Sequence, residues 1–134
     1  MQNGKRTQLA LTAVSVAALL GACSLIAPSS TSCFTAKPGT PSEVVFACVE
    51  STIRSLKTHR GAWSDAVTTR NISNGVFETG NFNDVNIVGI RAQVTYELKS
   101  GEGRIKVKAS GPYFADLGAE RAAKQLANGI AHCL

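Results

Sequence analysis

The chain is poor in the residues that most often carry chemistry. Among 134 residues it has two histidines, nine acidic residues and one tryptophan, and aromatics make up 6%. No His-x-x-x-His, Cys-x-x-Cys or carboxylate cluster offers metal-ligand spacing. No Gly-x-Ser-x-Gly or glycine-rich phosphate loop is present, and Ser64-Asp65 lacks a positioned base. No catalytic residue, metal or cofactor is therefore expected, and the protein is not expected to be an enzyme. There is no internal repeat. Twelve glycines without a Gly-X-Y period exclude a collagen-like chain, and 44% apolar residues exclude a disordered one. The length is too small for a two-domain enzyme.

Long hydrophobic runs are missing too. The longest uncharged apolar stretch, Leu9 to Leu20, covers twelve positions. A bilayer-spanning helix needs about 20 apolar residues. Lys5 and Arg6 precede this stretch, and Gly21-Ala22 end it. A charged start, an apolar core and small residues before a cut form the pattern of a secretory signal peptide. Leu20-Gly21-Ala22-Cys23 resembles the lipobox of bacterial lipoprotein precursors. The resemblance covers residues 1–24. It implies cleavage before Cys23 and diacylglyceryl attachment to its thiol, the nucleophile that takes the lipid. Two or more acyl chains give stable anchoring where one gives marginal binding. In Gram-negative members of this class an Asp after the cysteine favours inner-membrane retention, so Ser24 implies the outer membrane if the host has one. The expected division is a signal peptide over 1–22, a lipidated cysteine and flexible Ser/Thr/Pro-rich tether over 23–40, and a single domain over 41–134.

Without residues 1–22, twelve cations face nine acids, a net charge of +3. The apolar share is then ordinary for one small domain, whose stability would be marginal without help. Thr40-Pro41-Ser42-Glu43 has the capping-box pattern. Val45, Cys48, Val49, Ile53 and Leu56 follow at helical spacing, so a helix is expected over 41–59 with Gly61 as its stop. Residues 66–71 and 75–80 are strand candidates around an Asn74-Gly75 turn.

Residues 88–98 alternate apolar and polar, as do 104–109, with Ser100 to Gly103 read as the turn between them. Pairing Leu98 with Ile105 and Tyr96 with Val107 would set Glu97 opposite Lys106. Pro112 would end the last strand, and Asp116 would cap a second helix. Ala119, Ala122, Ala123, Leu126, Ile130, Cys133 and Leu134 would line one face of that helix. The expected fold is α+β: a two-layer sandwich of helix, antiparallel meander of four (or three) strands, and helix, with both helices on one sheet face.

Three cysteines remain after Cys23. With four strands between them the helices run antiparallel, which brings Cys48 beside Cys133. Cys33–Cys133, Cys33–Cys48 and two buried thiols are the alternatives. Under the first pairing Cys33 is free.

Arg91, Lys99, Arg104, Lys106 and Lys108 should project from the polar sheet face. Such a stripe fits an anionic partner, whether lipid headgroups, peptidoglycan carboxylates or an acidic protein surface, or it simply keeps the strand solvated. No aromatics interleave it, and nucleic acid is not an expected partner. His59 and His132 fall at helix C-termini, where the macrodipole favours them. Trp63 and Tyr113-Phe114 are expected to close the ends of the core.

These features lead to one expectation: a membrane-anchored lipoprotein on the periplasmic side, a non-catalytic binding or scaffolding module of an envelope assembly. Its partners would be membrane lipid through acylated Cys23 and an envelope protein. The alternative is a small inhibitor or exclusion lipoprotein that blocks an incoming enzyme, phage or conjugating cell.

Overall fold

The computed structural model describes residues 28–85, 87–111 and 118–134. The signal peptide, the lipobox with Cys23, Pro112, Tyr113-Phe114 and the expected Asp116 cap lie outside them. The elements are β1 (Ser29–Thr35), α1 (Ser42–His59), β2 (Val67–Asn71), β3 (Val76–Thr79), β4 (Gly89–Glu97), β5 (Glu102–Ser110) and α2 (Ala119–Cys133). They form one antiparallel sheet of five strands in the order β1-β5-β4-β3-β2. The protein is α+β, with a helix before and a helix after a four-strand meander.

The fifth strand corrects the expected tether. Residues 29–35 are an edge strand, paired with β5 from Ser29↔Lys108 to Thr35↔Glu102. Its sequence, SSTSCFT, conceals the period of two. Ser30, Ser32 and Phe34 share the inward parity, yet only Phe34 is apolar and buried. A stretch rich in Ser and Thr reads as a linker unless its pairing partner is known. β1 and β2 lie at opposite edges of the sheet, so the connection through α1 crosses the sheet.

α1 begins as expected but is capped differently. Pro41, not Thr40, sits at the N-cap, and the Thr40 hydroxyl donates 2.6 Å back to the Lys37 carbonyl. The capping box is therefore not formed. The helix stops at His59, with an extended Arg60 as C-cap whose N–H donates to the Leu56 carbonyl. Gly61 lies one residue beyond. Val45, Phe46, Val49 and Ile53 of α1 pack with Ala122, Ala123, Leu126 and Ile130 of α2 in one core. Gly129 of α2 lets the helix pack tightly on α1: a Cβ there would strike the Thr52 methyl. Cys133 and Leu134, expected in the apolar stripe of α2, are exposed.

The β4–β5 hairpin keeps the expected faces but not the expected register. Glu97 pairs with Glu102, Tyr96 with Gly103 and Val94 with Ile105. The shift is four residues, an even number, so every inward side chain stays inward. The turn is 98–101, closed by the Gly101 N–H to the Glu97 carbonyl at 2.9 Å, with Gly101 at φ +74°. Leu98 is thereby exposed, and Lys106 faces Gln93 rather than Glu97. Gly103 explains the choice. It sits between Phe34 and Tyr96, and the Phe34 ring lies over the space a Cβ would fill. The two rings stack at 6.5 Å between centroids. A glycine in a strand leaves a bare backbone, and a neighbouring aromatic covers it.

The inward sheet face carries Ile90, Ala92, Val94, Tyr96, Ile105, Val107 and Ala109 against both helices. Trp63 closes one end through a parallel bridge to Ile90 and is almost wholly buried, as expected.

Candidate functional site

Helices cover one face of the sheet. The other face is polar, and there the expected cationic stripe divides into three parts. Arg104 and Lys106 are exposed on β5, two residues apart and on the same side. That spacing is about 7 Å along a strand. Lys99 lies in the 98–101 turn, exposed but off the sheet face. Arg91 and Lys108 face each other across β4 and β5 and are engaged by the protein itself.

Arg91 is 2% exposed. Its Nη1 donates to the carbonyls of Asp84 at 2.8 Å, Asn81 at 3.2 Å and Phe82 at 3.4 Å. Burial pulls its pKa below the usual arginine value, and Asp84 opposes that pull. Lys108 donates to the Phe82 carbonyl at 3.0 Å and sits 4.3 Å from the centroid of the Phe82 ring. Burial lowers its pKa as well. Repulsion from Arg91 and Lys106 adds to this, and attraction from Glu78 offsets part of it. These two cations clamp the loop between β3 and β4. Nothing in periodicity distinguishes them from Arg104 and Lys106. The available signal was Phe82, one aromatic in an otherwise polar Gly-Asn-Phe-Asn-Asp loop, a pattern that suggests an anchored residue. Phe82 is buried.

Beside Arg104 the outer face dips into an open concavity of about 510 Å³, bordered by Cys33, Thr35, Thr95, Glu97, Glu102 and Arg104. Glu97 and Glu102 oppose each other there, and both are exposed to water. Cys33 is free and exposed, directly across from Arg104. It belongs to a paired strand, not to a loose tether. Cys48 and Cys133 form a disulfide.

His59 Nδ1 lies 3.0 Å from the Ser55 carbonyl, and His132 Nδ1 lies 2.7 Å from the Asn128 carbonyl. Both rings sit over the last turns of their helices, where the dipole favours them. Among the described residues no group of three or more His, Cys, Asp or Glu could hold a metal ion. Among those residues, too, no helix is long and apolar enough to cross a membrane. Compared with known proteins, the chain matches no family model, no curated protein and no solved structure.

Proposed function

We propose that this chain is a lipid-anchored module of the cell envelope, held to a membrane through acylated Cys23, that binds a protein partner without catalysing a reaction. The reading places it on the periplasmic side, at the outer membrane if the host has one. One observation carries it: among the described residues, Arg104 and Lys106 stand exposed in line on the outer sheet face, beside an uncharged edge strand. The seven residues of β1 contain no Lys, Pro or acid, the devices that usually blunt a sheet edge. A partner with an acidic surface can meet the cations and lie along that edge. The exposed setting of Glu97 and Glu102 and the seating of both histidine rings against carbonyls of their own helices support a binding role over a catalytic one.

The test is capture of the intact acylated protein from its own membranes, compared with an Arg104→Glu/Lys106→Glu variant. A partner that co-purifies with the native chain and is lost with the variant supports the reading. Identical captured sets would count against it.

A further inference from the structure

The strand found at residues 29–35 shortens the tether from 18 residues to the few between Cys23 and Ser29. Six peptide steps reach at most about 20 Å. The nine-residue strands β4 and β5 are about 30 Å long. A lipid at Cys23 therefore cannot let the domain stand on its opposite end, where the 98–101 turn lies. The end of the domain at which β1 starts must stay near the bilayer.

That end differs from the rest of the surface. The connection between β3 and β4 presents Val85, 77% exposed, and Val88, 63% exposed. They are the two most exposed large apolar side chains among the described residues. Arg91 and Lys108 hold the first part of this loop, and the Ser110 hydroxyl donates 2.6 Å to the Ile87 carbonyl. The backbone is thus held at Asp84, just before Val85, and at Ile87, just before Val88. At the same end of the sheet, the first turns of α2 lie beside Pro28 to Ser30 and bring Arg121 and Lys124, with Glu120 and, next to Val85, exposed Asp84 as the opposing acids. Lys124 is ion-paired with Glu120 at 3.0 Å, and Arg121 is exposed.

We propose that this end is a membrane-contact surface: Val85 and Val88 enter the interface of the bilayer that holds the acyl chains, with Arg121 at the headgroups. The inference rests on the reading of Cys23 as acylated. Apolar side chains set at the acyl boundary beside cations are the usual means of interfacial binding. The domain then stands on its β1-start end, and the Arg104–Lys106 face is turned sideways, accessible to a protein.

The experiment uses the full mature protein in vesicles of phosphatidylethanolamine and phosphatidylglycerol with brominated acyl chains. Three variants each add one tryptophan: Val85→Trp, Thr95→Trp on the outer sheet face, and Leu98→Trp at the far turn. Native Trp63 is buried and serves as the common background. The Val85→Trp variant should lose roughly half of the added fluorescence, as expected for a ring within an interfacial layer of about 5–10 Å. Thr95→Trp and Leu98→Trp should keep theirs. Quenching at Thr95→Trp would show the domain lying on its sheet face and overturn the proposal, as would an unquenched Val85→Trp. Mass spectrometry of the same sample separates the two failures. An unmodified Cys23 removes the anchor reading together with this proposal. An acylated Cys23 with an unquenched Val85→Trp removes this proposal alone.

Discussion

Cys48, in the second turn of α1, is bonded to Cys133, in the last turn of α2, with 5.6 Å between their Cα atoms. The bond joins the start of the first helix to the end of the second. It can do so because four strands separate them in sequence, each reversal turning the chain once. The helices therefore run antiparallel, and residues 85 positions apart become neighbours.

A crosslink across so long a loop removes much of the freedom of the unfolded chain, worth about 4 kcal/mol. In chemical denaturation, the Cys48→Ser/Cys133→Ser protein should lose stability of that order. Non-reducing peptide mapping of the native protein should recover the two cysteines in one linked fragment. Free alkylation of both would contradict the pairing.

Phe34 and Gly103 form a second dependent pair. Removing the ring with Phe34→Ala should cost about 3–5 kcal/mol, because it empties a buried site against Tyr96 and the Gly103 backbone. Gly103→Ala drives a methyl into the same ring and should cost about 1–3 kcal/mol. The double variant should cost less than the sum, since the methyl then occupies space the ring has left. Additive losses in a double-mutant cycle would show that the two residues do not share that space.

Arg91 supplies the donors for the β3–β4 loop. Arg91→Ala should destabilise by about 2–3 kcal/mol, the scale for lost hydrogen bonds to a charged group. The effect should be local: amide exchange should accelerate from Asn81 to Val85 while β1 and α2 stay protected. Lysine at this position keeps the charge but lacks the planar fork, so Arg91→Lys should rescue only part of the loss. Unchanged exchange in Arg91→Ala would show that the loop is held by other means.

Lys57 donates to the Asp65 carboxylate at 2.8 Å and holds its pKa below the usual value of 3.8. A carboxyl depressed in the folded state stabilises the protein above its unfolded pKa, and this stability fades as pH falls through the folded value. Both side chains are well exposed, so the effect on stability should be small. The sharper readout is the Asp65 titration by NMR. Its midpoint should lie below 3.8 in the native protein and rise toward that value in Lys57→Ala. An identical midpoint in both would remove the ion pair as the cause.

Much of this fold was legible where one amino-acid pattern has one physical meaning. The alternation of Ile90, Ala92, Val94 and Tyr96 could bury a face only as a strand. The spacing of Val45, Cys48, Val49 and Ile53 could do so only as a helix. From those two patterns and the Asn74-Gly75 turn came the four-strand meander between antiparallel helices, and from that came the cysteine pairing. β1 was not legible, because Ser and Thr suit linkers and strands alike and its one buried apolar residue, Phe34, makes no pattern alone.

The outer sheet face shows the same boundary. Sequence determined which residues share that face, since side chains alternate along a strand whatever the register. It could not determine which of those cations remain exposed. Arg91 and Lys108 have the same parity as Arg104 and Lys106, yet the β3–β4 loop carrying Phe82 folds over the first pair and takes up their donors. That closure depends on how the loop lies across the sheet, and for Lys108 on a contact 26 residues away, so only the tertiary structure decided it. It also showed how close to Cys23 the first strand begins.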